Sequence, residues 1–153
     1  MLVNERLKNM NIDLPIPPNP VGFYEPVINI DNILHISGQL PLADGQIQYQ
    51  GKVGSSISLP EVQKAIELSV LNAVAIAKQS LNGDLDRVVG IPRLRVYLNA
   101  VETFSDHAKI ANSASQLLLN IFGDLGSHSR SAVGVASLPL NSPVEIELLF
   151  AIK

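Results

Sequence analysis

The chain has no cysteine, few aromatic residues and few charges, and each shortage removes a class of function. Without cysteine there are no disulfides, no thiolate nucleophile and no thiolate metal ligands. The histidines are His35, His107 and His128, and none stands at the H-x-x-x-H spacing that builds a metal site on one helix face. No G-x-S-x-G elbow occurs, which argues against a serine hydrolase. Eleven basic residues are scattered along a chain of formal net charge −3, and aromatics make up 5%. There is no basic stripe to neutralise a phosphate backbone, so nucleic acid is disfavoured as a partner. No apolar run reaches membrane-spanning length, and Met1 to Met10 carries charges where a signal peptide would have its apolar core. The expectation is a cytoplasmic protein with no membrane partner.

What is present fits one domain with a substantial core. The 153 residues are 46% apolar and only 16% charged, which leaves apolar surface to meet another subunit. Pro15, Pro17, Pro18 and Pro20 make Ile12 to Pro20 an extended segment. Residues 1–20 read as an N-terminal lead-in and 21–153 as the domain, beginning at about Val21. Tyr24 to Ile30 and Ile33 to Ser37 form a predicted hairpin around Asp31-Asn32, and Asp44-Gly45 marks a second turn before a short polar edge strand, Gln46 to Gln50. Gly51 to Ser56 lacks the order of a phosphate loop and is read as a flexible loop flanking a site.

Ser58 and Glu61 form an S-x-x-E capping box, and Asn82-Gly83 ends the helix it opens. Val62, Ala65, Ile66, Ser69, Val70, Ala73, Val74 and Ala77 keep three-four spacing and form its core face. A strand follows at Arg93 to Asn99, with Leu94, Val96 and Leu98 on one face and Arg93, Arg95 and Tyr97 on the other. A second helix runs from about Ser105 to Phe122 through Ala108, Ala111, Ala114, Leu118 and Ile121. The last strands are Ser131 to Ser137 and Val144 to Ile152. The order β-β-(β)-α-β-α-β-β gives an α+β domain with both helices on one face of a mixed sheet. Glu145, Glu147, Leu149 and Ala151 fall on the other face, which points to self-association there.

The C-terminal third carries the chemistry. Ser129-Arg130-Ser131-Ala132-Val133 and Val144-Glu145-Ile146-Glu147 set one arginine and two acids among strand residues. A guanidinium matches a carboxylate two donors to two acceptors, so a small carboxylate metabolite is the expected ligand.

Gly22-Phe23-Tyr24-Glu25-Pro26, Ser37-Gly38-Gln39, Arg130-Ser131-x-Val133-x-Val135-x-x-Leu138-Pro139 and Val144-Glu145-Ile146-Glu147 together resemble the YjgF/Rid reactive-intermediate deaminases, also called L-PSP endoribonucleases. The resemblance spans roughly residues 21–152. It implies a chorismate mutase-like fold, a homotrimer with clefts between subunits, and hydrolysis of a 2-imino acid to a 2-oxo acid and ammonia without a cofactor or metal. It also implies that Arg130 binds the substrate carboxylate and Glu145 positions or activates water, with Tyr24, Ser37, Gly38, Asn112 and His128 around the substrate. Ala132 stands where many relatives have cysteine, and His128 where many have proline. The family's cleft asparagine aligns best with Ala111, one residue before Asn112.

Other readings stand beside this one. Arg130 and Glu145 can form a structural ion pair, Tyr24 can be a packing residue and Ser37 can serve only its turn. His35 reads as a satisfied interior histidine and His107 as a solvated one. A non-catalytic trimer that binds a 2-oxo acid would use the same arginine, and an endoribonuclease would use His128 as general base beside Arg130.

Overall fold

The structure is a computed structural model that describes residues 1–20 and 22–153; Val21, the expected start of the domain, lies outside the described residues. Its centre is a five-stranded sheet. The strands are β1 (Val27–Ile30), β2 (Ile33–Gln39), β5 (Val88–Asn99), β6 (Ser129–Val135) and β7 (Val144–Ile152), in the order β1-β2-β7-β5-β6. All pairs are antiparallel except β5 with β6. The chain joins β1 to β2 through Asp31 and Asn32, both at positive φ, the backbone a tight two-residue hairpin requires. Asp44 and Gly45 repeat that geometry between β3 (Leu42–Ala43) and β4 (Gln46–Ile47). These two make a separate small sheet, so Gln46 to Gln50 is not an edge strand of the main one.

Helix α2 (Leu59–Ser80) begins where its capping box predicts. Glu61 Oε2 accepts from the Ser58 backbone N–H and hydroxyl, and Ser58 Oγ accepts from the Glu61 N–H. These Ser58 bonds also lower the pKa of the exposed Glu61 carboxyl. All eight expected core positions are buried. Helix α3 (His107–Phe122) buries Ile110, Ala111, Ala114, Leu118 and Ile121, whereas Ala108 is exposed. Both helices cover one face of the sheet, against Leu34, Ile36, Leu94, Val96, Ile146, Leu148 and Phe150. In β7 this alternation is regular, with every even-numbered residue from Val144 to Ile152 buried.

Strand β1 starts at Val27, not Tyr24, and four further expectations change. Strand β5 starts at Val88, five residues early, because Pro92 sits inside an irregular register between Gly90 and Arg93 where its missing N–H is tolerated. Strand β6 starts at Ser129, where its parallel pairing with Arg93 begins. The Gly51 to Ser56 loop is pinned, with Val53 fully buried and Lys52 Nζ donating to Asn99 Oδ1 and the Ala136 carbonyl. The N-terminus adds α1 (Val3–Asn9), whose Val3 and Leu7 join the core and whose Val3 N–H donates to Asp86 Oδ1 at 2.7 Å.

Candidate functional site

Parity along the strands divides the expected site residues. Glu145 pairs with Tyr97 of β5 and faces away from the helices, because its neighbours Val144 and Ile146 fill the core. Arg130 pairs with Leu94, a core residue, so it faces the helix side, on the edge strand β6. Within one chain the two lie on opposite faces of the sheet. No ion pair joins them among the described residues. Glu147 pairs instead with Arg95, 3.0 Å away on the open face.

The glutamate half is a cavity of about 390 Å³ walled by Pro18, Pro20, Tyr24, Leu40 and Leu140, with Gly38 and Glu145 on its floor. Gly38 lets the carboxyl pack close against the backbone, because a Cβ there would stand 2.8 Å from the Glu145 carboxyl carbon. Two devices hold the walls. Buried Asn72 of α2 donates to the carbonyls of Leu40 and Leu42, and Gln50 Nε2 donates to the carbonyl of Leu140, which sits at φ 57°. Burial in these apolar surroundings, with Glu147 as a second negative charge, raises the pKa of Glu145. Tyr24 stands half exposed at the lip. Ser37 turns its hydroxyl to the Glu25 carbonyl at 2.6 Å, so it fixes the chain that carries Tyr24.

The arginine half lies along the groove between β6 and α3. Arg130 Nη1 donates to Asn112 Oδ1 at 2.9 Å and to Ser115 Oγ at 3.1 Å, and Nη2 donates to the Ala108 carbonyl at 3.2 Å. Both Nη1 hydrogens and one on Nη2 are thereby used. Nε–H and the second Nη2 hydrogen make no bond among the described residues, which leaves two donors, the number a bidentate carboxylate takes. Asn112, not the fully buried Ala111, is the asparagine that reaches the arginine. His128 lies behind it, with Nε2 2.9 Å from Ser115 Oγ and Nδ1 2.6 Å from the Gly126 carbonyl.

The structure thus brings together Tyr24, Gly38 and Glu145 in one place and Asn112, His128 and Arg130 in another. His35 is half buried on the open face, paired with Leu149. His107 is not fully solvated: it stacks edge-on against Phe104 at 5.1 Å and lies over Gly134, where a Cβ would meet its Nε2 at 2.8 Å. Sequence reasoning missed Ser115 and the cavity walls. Ser115 follows Asn112 by three residues, the spacing that puts both on one helix face, and that was the available signal. Among the described residues no three His, Asp or Glu side chains converge as a metal site, and no helix is long and apolar enough to cross a membrane.

Residues 4–152 match the family model described as "YjgF/chorismate mutase-like, putative endoribonuclease". The chain is 37% identical over 148 residues to Protein TCP17 of Trypanosoma cruzi, covering 96% of this chain and 92% of that one. It is 27% identical over 142 residues to a 2-iminobutanoate/2-iminopropanoate deaminase of Dermatophagoides farinae, covering 93% of this chain and 95% of the other. Among solved structures, a "putative endoribonuclease" of Shewanella oneidensis superposes with a TM-score of 0.94 at 36% identity, covering 99% of this chain and 100% of that one.

Proposed function

The chain belongs to the YjgF/chorismate mutase-like family, and we propose that it acts there as a cytoplasmic, homotrimeric deaminase that hydrolyses reactive 2-imino acids to 2-oxo acids and ammonia. The observation that carries this reading is the split site. An arginine with two unused donors and a desolvated glutamate lie on opposite faces of one sheet. A ligand that touches both requires Arg130 of one subunit beside the Glu145 cavity of the next, which makes the assembly part of the site. Ile28, Ile30 and Val133, exposed on the open sheet face, supply apolar surface for such an interface. The likeness to the mite deaminase supports the reaction class.

In this arrangement the two unused donors of Arg130 take the substrate carboxylate and fix the imine carbon over the cavity. Glu145 accepts a proton from a water molecule as its oxygen bonds to the imine carbon. With the imine nitrogen protonated, that attack gives a carbinolamine; Glu145 returns its proton to the amino nitrogen and then takes the remaining hydroxyl proton as the carbonyl forms and the carbon–nitrogen bond breaks, so one water is consumed and ammonia leaves. The raised pKa of Glu145 makes its carboxylate a stronger base than an exposed one. An endoribonuclease reading needs His128 as a free general base, and both its ring nitrogens are engaged by Ser115 and Gly126.

The test is hydrolysis of 2-iminobutanoate and 2-iminopropanoate, generated in situ by a dehydratase, compared with buffer. Wild type should accelerate it, and Arg130→Ala and Glu145→Ala should each lower kcat/KM by about 100-fold or more while remaining folded. No acceleration, together with tight 2-oxo acid binding, would replace the deaminase with a metabolite-binding protein.

A further inference from the structure

From the hydrogen bonds behind the arginine we infer that Ser115 and His128 are positioning residues, a two-member relay that fixes which edge of the Arg130 guanidinium faces the ligand. The inference rests on the proposed carboxylate role of Arg130 and adds residues that do not touch the substrate.

The direction of the relay follows from what each atom can do. Nδ1 of His128 faces the Gly126 carbonyl at 2.6 Å, and a carbonyl only accepts, so Nδ1 carries the ring proton. Nε2 is therefore an acceptor in the neutral ring and takes the Ser115 hydroxyl proton at 2.9 Å. With its hydrogen committed, Ser115 Oγ presents a lone pair, and Arg130 Nη1 fills it at 3.1 Å. Without His128 the hydroxyl rotates freely and its hydrogen competes for the space the guanidinium needs. The Gly126 carbonyl is itself held by a compact turn: Gly126 is buried, and an added Cβ would meet the Leu118 carbonyl oxygen at 2.5 Å.

The consequence is selectivity of orientation. Asn112 and Ser115 together occupy both Nη1 hydrogens, so the guanidinium cannot turn that nitrogen outward without breaking two bonds. Nε and Nη2 are left to the ligand. Loss of Ser115 frees one Nη1 hydrogen and lets the arginine present several edges, which weakens the two-to-two match with a carboxylate. The effect should fall on binding, because Glu145 and the water it activates are untouched.

The experiment measures KM and kcat for 2-iminobutanoate hydrolysis, and the dissociation constant of 2-oxobutanoate, in wild type, Ser115→Ala, Ser115→Thr, His128→Phe and Ser115→Ala/His128→Phe. Ser115→Ala and His128→Phe should each raise KM and the dissociation constant about 5-fold, with a smaller change in kcat. Ser115→Thr, which keeps the hydroxyl, should restore wild-type binding. The double variant should be no weaker than Ser115→Ala alone, because both changes cut one chain of contacts. Unchanged KM in the single variants of an active enzyme, or additive effects in the double variant, would overturn the relay and leave the deaminase standing. Melting temperatures that fall while KM stays at the wild-type value would assign both residues to the fold alone. A wild-type protein that neither turns over the imine nor binds the 2-oxo acid would overturn the deaminase and the relay together.

Discussion

Arg130 and Glu145 sit in surroundings of opposite kind. The guanidinium is held by an amide oxygen, a hydroxyl and a carbonyl, all from α3. The carboxyl of Glu145 rests among proline and leucine walls, and no hydrogen-bond donor reaches it among the described residues. Polar contacts give the arginine a direction. Withdrawal from water acts on the glutamate, pushing it toward its protonated form and making its ionised form more reactive. In the proposed reaction one half holds the ligand and the other moves a proton, and the sheet between them keeps the two side chains from pairing within a chain.

A substitution that disturbs only the glutamate half separates these roles most sharply. In Gly38→Ala the new methyl group meets the Glu145 carboxyl, the far end of a flexible side chain, while the backbone stays in ordinary conformation. The carboxyl should swing away by about 1 Å, with kcat falling about 100-fold. Binding of 2-oxobutanoate through Arg130 should change far less, and calorimetric titration beside turnover assays would show the split. Equal losses in binding and turnover would mean that the halves are not separable.

A smaller effect comes from the proton on Glu145. Its folded pKa is raised, so the folded chain holds that proton more tightly than the unfolded one. Stability is therefore greater below the ordinary glutamate range and is lost as pH rises through the raised folded value. Glu145→Gln removes the penalty of the buried charge. Its melting temperature should exceed that of wild type by about 2 °C at pH 7.5, and the difference should vanish near pH ~4. A constant difference at both pH values would contradict the assigned desolvation.

Much of this architecture was legible in the sequence where the signal is local. The Ser58–Glu61 box, the stripe from Val62 to Ala77, the Asp31-Asn32 turn and the alternation of β7 each depend on neighbours within a few residues. The resemblance singled out Arg130 and Glu145, but not their separation. Which face Arg130 takes depends on its parallel register with Leu94, thirty-six positions earlier, and nothing near residue 130 encodes that pairing. The cavity walls were invisible for the same reason: Pro18, Leu40 and Leu140 converge from distant parts of the chain. Helix α1 carried only two core anchors, Val3 and Leu7, too few for the three-four pattern that revealed α2.

The most direct measurement is complementation between the two halves. Arg130→Ala and Glu145→Ala proteins, each expected to retain about 1% of wild-type activity or less, would be unfolded together in equal amounts, refolded and assayed, with the assembly checked by light scattering for a mass of about 50 kDa, three times the 16.5 kDa of one chain. A site shared between subunits predicts recovery of about a quarter of wild-type activity, the fraction of clefts that receive an intact arginine from one chain and an intact glutamate from its neighbour. No recovery from a correctly refolded mixed assembly would contradict the shared site and return both residues to a single chain.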